Sequence, residues 1–258
     1  MKKNESFNTA AELYDEVRPA YNQVVVDWIV EQTGITIDDQ LLEIGPGTGQ
    51  ATLRFAENSF KIHCVEFGDN LAAILKHKCA GYPNVTIDVS AFETWQSERF
   101  TQFSLIYSAS AFHWIDNTIK YKKCSQLLCE NGYLALLWHE YPHAELDITN
   151  RAFELLASYK LKGVTAQQKP TRKQRIQERI DEINASGYFR FLETFEHHWM
   201  IEQTPERFFK GFKTQSGFLS LDEPVKAALS AELSALFSDY GKPIPTKFIS
   251  TVCLTRKT

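Results

Sequence analysis

The sequence predicts an α/β fold built on a parallel sheet that is buried on both faces. Two observations carry this prediction: short apolar runs of strand length alternate with amphipathic stretches, and a glycine-rich loop follows the first of these runs. The runs cover 41–44, 62–65, 85–89, 103–107 and 133–138. Helices are predicted between them, for example over 69–80 and 117–129. Repeated strand–helix units of this kind place helices on both sides of a parallel sheet.

The pattern changes beyond residue 138, where helical stretches dominate. Helices are predicted over 145–160 and 171–186, followed by a strand over 197–202. Pro205 and Pro224 each stand near the first position of a further helix, which is where proline is best tolerated. The last strand is predicted over 248–254.

Composition and charge narrow the class of protein. The chain has 258 residues, an apolar fraction of 43% and a formal net charge of -4. A nucleic-acid binder usually carries a basic balance or stripe, so we expect no nucleic-acid partner. The sequence contains no apolar run of about 18 residues, so we expect no membrane-spanning helix. The five cysteines contain no CxxC pair, so we expect reduced thiols, a cytoplasmic protein and no metal site.

The glycine loop is the most informative segment. Gly45, Gly47 and Gly49 follow a strand and precede a helix, and glycines there let a ligand approach the backbone closely. A dinucleotide fingerprint would need another glycine where Gln50 stands. Glu43, two residues before the first glycine, suits a ligand that carries positive charge. The loop therefore favours a cationic nucleoside-type ligand over a pyrophosphate.

The ends of the next two strands support a nucleoside ligand. Glu66 ends the second strand, where a carboxylate can accept both hydroxyls of a ribose. Ser90, Ala91 and Phe92 follow the third strand, where an adenine ring could be sandwiched.

Four segments, taken together, resemble the motifs of class I S-adenosylmethionine-dependent methyltransferases. They are LLEIGPGTGQAT at 41–52, CVEFGDNL at 64–71, FSLIYSASAFHWID at 103–116 and YDEVRPAY at 14–21. The resemblance is to the type 11 group, which includes trans-aconitate-type and quinone-biosynthesis-type small-molecule enzymes, and it covers residues 7 to about 139 well. It implies a Rossmann-like sheet of seven strands with the last one antiparallel, helices on both faces and a helical lid insertion.

The resemblance also implies the cofactor and the residues that hold it. The cofactor would be S-adenosylmethionine, and the residues carried over are Glu43, Gly45, Pro46, Gly47, Thr48, Gly49, Glu66, Phe67, Ser90, Ala91, Phe92 and Ser108. The chain departs from the family at Ser90 and Ser104, where many relatives carry aspartate. The first departure leaves the contact to the adenine amino group open.

Candidates for the acceptor side lie elsewhere in the chain. His113, just beyond the fourth strand, is the candidate general base, and Trp114 beside it is a candidate pocket wall. Tyr14 and Arg18 are four residues apart and would share a helix face, from which Arg18 could hold a substrate carboxylate or instead form a surface ion pair.

Two further acceptor-side candidates are Tyr21 on the same N-terminal segment and His139 at a strand end. The span 139–143 has the letters of a zinc-protease HExxH motif, but Pro142 interrupts the helix that the motif needs. We therefore expect His139 to line a substrate pocket instead.

The expected function is methylation of an oxygen or carbon atom of a small-molecule substrate, with no membrane partner. The alternatives are a non-catalytic protein that binds S-adenosylmethionine or S-adenosylhomocysteine, an NAD-dependent oxidoreductase, and a nucleic-acid methyltransferase. Nucleic-acid methyltransferases usually carry a motif of the Asn-Pro-Pro-Tyr type after the fourth strand, and this chain has YSAS there instead. We expect one domain over 1–258, with a cap helix at 1–30, a cofactor-binding core at 36–140, a lid and substrate region at 141–220, and the last helix and strand at 221–258.

Overall fold

A computed structural model describes residues 8, 10–97, 102–140, 147–159 and 170–258. Its centre is a seven-stranded sheet with the order β3-β2-β1-β4-β5-β7-β6. The strands are β1 (Gln40–Ile44), β2 (Lys61–Glu66), β3 (Val85–Val89), β4 (Phe103–Ala109), β5 (Leu128–Glu140), β6 (Phe189–Gln203) and β7 (Ile244–Lys257). Strands β1 to β5 pair in parallel, so their carboxyl ends lie along one edge.

The last strand runs against β5. Ser250 contacts His139, Thr255 donates to the carbonyl of Leu134, and Lys257 donates to the carbonyl of Leu128. The partner numbers on β5 fall as those on β7 rise, which is the signature of an antiparallel pair. The predicted seven-stranded sheet with an antiparallel last strand is confirmed.

Helices occupy the segments between the strands. They are α1 (Ala11–Val17), α2 (Gln23–Thr33), α3 (Thr52–Ala56), α4 (Asp69–Lys78), α5 (Lys120–Leu127), α6 (Asp147–Ser158), α7 (Arg172–Ala185), α8 (Pro205–Lys213), α9 (Ser216–Leu219) and α10 (Glu223–Tyr240). The predicted helix over 117–129 ends at Leu127, because buried Leu128 already pairs with Phe103 in the sheet. Strand β6 begins well before the predicted residue 197, since exposed charged side chains interrupt its apolar alternation.

The sheet separates two apolar cores. Leu41 and Leu42 are fully buried neighbours on β1, yet they belong to different clusters, because successive side chains of a strand point to opposite faces. Helices α2, α3 and α4 contribute to the cluster around Leu41, and α5 and α7 contribute to the cluster around Leu42. The predicted helices on both faces are therefore present.

The chain divides into two compact units. One comprises Met1–Arg18, Tyr141–Thr171 and His198–Ile249, and the other comprises Pro19–Glu140, Arg172–His197 and Ser250–Thr258. The first unit has its own apolar cluster, which includes Phe209, Phe212 and Phe237. The second contains the cores around the sheet. The organisation of the whole chain as one domain stays a prediction.

Helix α8 begins as its sequence predicts, with Pro205 at the first position and Thr204 as the cap. The hydroxyl of Thr204 accepts a hydrogen bond from the backbone N–H of Arg207 at 3.2 Å. We expect Thr204→Ala to lower the free energy of unfolding by about 1 kcal/mol, the usual loss when a helix cap is removed. Urea denaturation followed by helical circular dichroism measures this change. Thr204→Ser keeps the hydroxyl and serves as control; equal midpoints for all three proteins would contradict the expectation.

Within the ranges that the structure describes, no helix is both long enough and apolar enough to span a bilayer.

Candidate functional site

The glycine loop after β1 has the backbone that its sequence predicts. Gly45, Gly47 and Gly49 have φ angles of 66°, 60° and 95°, which is the region that side chains with a Cβ avoid. A Cβ added at Gly45 would lie 2.4 Å from the Cβ of Ala111, just beyond β4. The loop therefore passes so close to the end of β4 that a side chain at Gly45 would not fit there.

Hydrogen bonds within the loop hold this backbone in place. The N–H of Gly45 donates to the carbonyl of Val65 at 2.9 Å, and the N–H of Gly49 donates to the carbonyl of Pro46 at 3.0 Å. Thr48 is fully buried, and its hydroxyl accepts from the side-chain amide of Gln50 at 2.6 Å. These hydrogen bonds therefore fix the conformation of the loop backbone.

Glu66 lies directly beside the glycine loop. One of its carboxyl oxygens accepts from the N–H of Gly47 at 2.9 Å, and the other accepts from the N–H of Gly68 at 2.8 Å. Burial raises the pKa of this carboxyl above its ordinary value, against the lowering effect of those backbone donors. The next residue, Phe67, is 45% exposed, which is unusual for a large apolar ring. The end of β2 therefore places a carboxylate at the loop, and an exposed aromatic ring follows it.

The segment after β3 reaches the same place. The N–H of Ser90 donates to the backbone carbonyl of Glu66 at 2.8 Å, and the Ser90 hydroxyl donates to the carbonyl of Ala91. The ring of Phe92 is buried beside Trp95. At this edge it is Phe67 whose ring is open to solvent, so the role assigned to the Phe92 side chain stays a prediction.

Glu43 is enclosed inside the sheet. It is fully buried, and one carboxyl oxygen accepts from Thr52 at 2.6 Å and from Tyr107 at 3.0 Å. Burial is the main reason that the pKa of Glu43 rises to about 7. Ser108, also fully buried, donates to the carbonyl of Ile44 at 2.8 Å. Both side chains tie β1 to its neighbours directly below the loop.

Two of the predicted acceptor-side residues are in contact. The rings of Tyr21 and His139 stack with centroids 3.8 Å apart and planes inclined by 17°. The Tyr21 hydroxyl lies 3.3 Å from the hydroxyl of Ser110, and His139 Nδ1 lies 3.1 Å from the hydroxyl of Ser250. The sequence did not identify either serine: Ser250 is 111 residues from His139, and nothing local to Ser110 signals the contact.

His113 and Trp114 lie in the short 3-10 turn Phe112–Trp114, with ring centroids 4.6 Å apart. His113 is an exposed residue. Desolvation by surrounding protein atoms, together with the charges of Arg179 and Lys120, lowers the pKa of His113 to about 4. The ring is therefore neutral at physiological pH and is a weak proton acceptor.

Tyr14 and Arg18 belong to the other unit. Helix α1 ends at Val17, so Arg18 caps the helix in an extended conformation instead of sharing its face. The guanidinium carbon of Arg18 still lies 5.2 Å from the centre of the Tyr14 ring. Arg18 donates to the hydroxyl of Thr214 at 3.0 Å and to its carbonyl at 2.8 Å. Its guanidinium thus joins α1 to the end of α8. The substrate contact assigned to Arg18 stays a prediction.

The HExxH letters do not form a zinc-binding helix. His139 and Glu140 are the last residues of strand β5, and His143 lies outside the described residues. Glu140 instead receives hydrogen bonds from Arg175 and Arg179 on α7. The two described residues of the motif are strand residues, and the absence of a metal site stays a prediction.

Comparison with known proteins relates the cofactor half of the chain to methyltransferases. The family model described as "Ribosomal RNA adenine dimethylase" matches residues 20–129. An uncharacterized methyltransferase-like protein of Schizosaccharomyces pombe is 30% identical over 135 residues, which are 52% of this chain and 51% of that protein. The "Ribosomal RNA small subunit methyltransferase A" of Alkaliphilus metalliredigens is 41% identical over 66 residues, 26% of this chain and 23% of that protein. The chain thus spans about half the length, or less, of these curated relatives.

These matches correct one expectation from the sequence. The expectation of no nucleic-acid partner is wrong, because the matching family and the Alkaliphilus relative are both named for ribosomal RNA methylation. Net charge alone does not exclude such a partner, because it sums the whole chain and does not describe one surface. The expectation of a relationship to methyltransferases is confirmed by the same names.

A solved structure extends the likeness to the whole fold. The structure of a proposed type II methyltransferase from Anaeromyxobacter dehalogenans has a TM-score of 0.65 at 18% identity, covering 93% of this chain and 97% of that one. At this identity the likeness concerns the fold. With the strand order and the antiparallel last strand, it shows that the chain has the class I methyltransferase fold.

Proposed function

We propose that the protein is an S-adenosylmethionine-dependent methyltransferase. The observation that carries the proposal is the contact between Glu66 and the N–H of Gly47, which brings the predicted ribose carboxylate onto the predicted methionine loop. The three loop glycines, all at positive φ, carry no side chains, which fits a ligand that passes close to the backbone. When bound, S-adenosylmethionine supplies a methyl group from its sulfonium.

In this proposal each element at the sheet edge has a distinct part. The loop Gly45–Gly49 would lie along the methionine portion, Glu66 would hold the ribose, and the exposed ring of Phe67 would cover the adenine. Glu43 and Ser108 would hold the loop from below, because their side chains are buried in contacts within the sheet. The protein then accelerates the transfer by holding the two reactants in line, which is a large effect for a reaction between two molecules.

We propose a small molecule as the first candidate acceptor, methylated on oxygen or carbon, in line with the resemblance to the type 11 group. An adenine of RNA is the second candidate, favoured by the family model over 20–129. That match covers the cofactor side of the site together with Tyr21 and Trp114, and it ends before the predicted lid and substrate region at 141–220. The alternative is a protein that binds the cofactor but is not an enzyme. A measurement of methyl transfer distinguishes the two.

Calorimetric titration with S-adenosylhomocysteine tests the cofactor. We expect micromolar binding, no binding of NAD, and at least about tenfold weaker binding for Glu66→Gln, because a hydrogen bond to a charged group is worth roughly 1.5–3 kcal/mol. Asp69→Asn removes the same charge three residues along the chain, where the side chain is exposed, and should bind like the parent protein. Binding of NAD alone, or equal affinities of the parent protein and Glu66→Gln, would contradict the assignment.

Isotope transfer separates the two acceptor candidates. The protein is incubated with methyl-labelled S-adenosylmethionine, and either unmethylated ribosomal RNA or a small-molecule extract. We expect label in the small-molecule fraction. Label appearing as methylated adenine in RNA would favour the second candidate, and a protein that binds S-adenosylhomocysteine but transfers no label to either would favour the non-catalytic alternative.

A further inference from the structure

Four side chains from separate segments meet at the carboxyl end of the sheet, and we call them the Tyr21 cluster. Its members are Tyr21, Ser110, His139 and Ser250. Tyr21 precedes α2, Ser110 follows β4, His139 lies near the end of β5, and Ser250 lies on β7. All four belong to the same compact unit of the chain.

The Tyr21 cluster adjoins the glycine loop. The backbone N–H of Tyr21 donates to the carbonyl of Gln50, directly after the loop, at 3.0 Å. Ser110 stands next to Ala111, whose Cβ occupies the space beside Gly45. His139 stacks on Tyr21, and Tyr21 is hydrogen-bonded to the residue that follows the loop. His139 therefore lies close to the loop, near the ends of β4 and β5. Ligands of open α/β sheets bind in this place, beyond the carboxyl ends of the strands.

The orientation of His139 is fixed from two directions. The stacked ring of Tyr21 confines the plane of the imidazole, and the hydroxyl of Ser250 holds Nδ1. In the tautomer whose proton is on Nδ1, Nε2 carries the lone pair. A third group that fixes the tautomer of a histidine is the usual arrangement around a catalytic base.

We propose that His139 is the general base of the methyl transfer, and that the acceptor is a compound whose nucleophile carries a proton, namely a hydroxyl group. This inference rests on the proposed function. It assigns the proton acceptor to His139 in place of His113. Desolvation, together with the charges of Arg179 and Lys120, holds the pKa of His113 below its ordinary value.

The proposed step balances in atoms and charge. The nucleophilic atom of the acceptor forms its new bond to the methyl carbon, and the electron pair of the broken carbon–sulfur bond stays on sulfur. The proton of the acceptor passes to Nε2 of His139, which is buried, and water admitted when the products leave takes the proton up. Acceptors that are already anionic at the reacting atom, such as carboxylates, would not need His139.

The charged groups nearest to His139 in the chain are paired with one another. Glu140 follows it directly and accepts from Arg175 and Arg179. The ring of His139 is in contact with the neutral side chains of Tyr21 and Ser250. These surroundings are common to any two cofactor complexes, so a positive charge at the methyl position of only one ligand is the difference that the imidazole would report.

The test compares two ligands by NMR without requiring the acceptor. In S-adenosylhomocysteine the methyl position carries no charge, whereas sinefungin has an ammonium group there. If His139 faces that position, its pKa should be lower by about 1 or more in the sinefungin complex, as expected for a like charge a few ångströms away. The imidazole C–H signals are titrated in both complexes, and His139→Asn identifies the signal, with His139→Gln as a second variant for the same purpose.

His77 serves as an internal control, because it is exposed on α4 and should titrate identically in both complexes. A lower pKa at His139 with sinefungin, and none at His77, supports the proposal. A shift at His113 and not at His139 overturns it, as does equal titration of His139 in two complexes that both form. Failure of both ligands to bind would overturn the proposed function together with this inference.

Discussion

Replacing Gly45 with alanine is expected to lower the free energy of unfolding by about 3 kcal/mol and to weaken S-adenosylhomocysteine binding more than about 100-fold. Two effects add. The φ angle of 66° is unfavourable for a residue with a Cβ, and that Cβ would lie 2.4 Å from the Cβ of Ala111. The loop or the end of β4 must therefore move, and both lie where the cofactor is proposed to bind. Denaturant unfolding and calorimetry measure the two consequences separately.

Gly34 offers a matched control for this substitution. Its φ is 67°, almost that of Gly45, but a Cβ there would meet nothing within 4 Å. Gly34→Ala should therefore show the backbone effect alone, about 1 kcal/mol, with unchanged ligand affinity. The double variant Gly45→Ala with Ala111→Gly removes the atom that is approached and should recover part of the stability. If Gly45→Ala and Gly34→Ala proved equally stable and equally able to bind, the close approach at Gly45 would have no functional meaning.

The cofactor side of the site could be predicted from the sequence because its parts are local. The three glycines sit between a strand and a helix, and Glu66 ends the next strand, so parallel pairing of β1 with β2 was enough to bring them together. The acceptor side depends on contacts between distant segments. The contact between His139 and Ser250 requires β7 to lie antiparallel beside β5, and spacing along the chain does not give that register.

Besides contacts between distant segments, the sequence did not predict how deeply individual side chains are buried. Glu43 was expected to face a cationic ligand, yet its side chain lies inside the sheet between Thr52 and Tyr107. Strand periodicity assigns a face to each residue, but β1 is covered on both faces, so neither face leads to solvent. For the same reason Phe92 and Phe67, both aromatic and both at strand ends, differ in exposure in a way that composition does not predict.

The buried carboxyl of Glu43 makes stability depend on pH in an unusual direction. Its pKa rises from 4.5 to about 7 in the folded protein, so the folded state binds the proton more tightly than the unfolded chain does. The contribution of this group to stability is therefore fully present below about pH 4.5, and it is lost as pH rises towards 7. The size of the loss is about 3 kcal/mol, since each pKa unit corresponds to about 1.4 kcal/mol.

Glu43→Gln removes this titration while keeping the shape and one acceptor oxygen for Thr52 and Tyr107. We expect the stability of the parent protein relative to the variant to fall by about 3 kcal/mol between pH 4.5 and pH 8, whatever their difference at the lower pH. Urea unfolding of both proteins at several pH values gives this difference directly, and the other titrating groups cancel because they are common to both. Parallel stability curves would mean that Glu43 is ionised in the folded protein throughout this range. The sheet would then hold a buried carboxylate below the glycine loop, and the negative charge that the sequence suggested for a cationic ligand would be present after all.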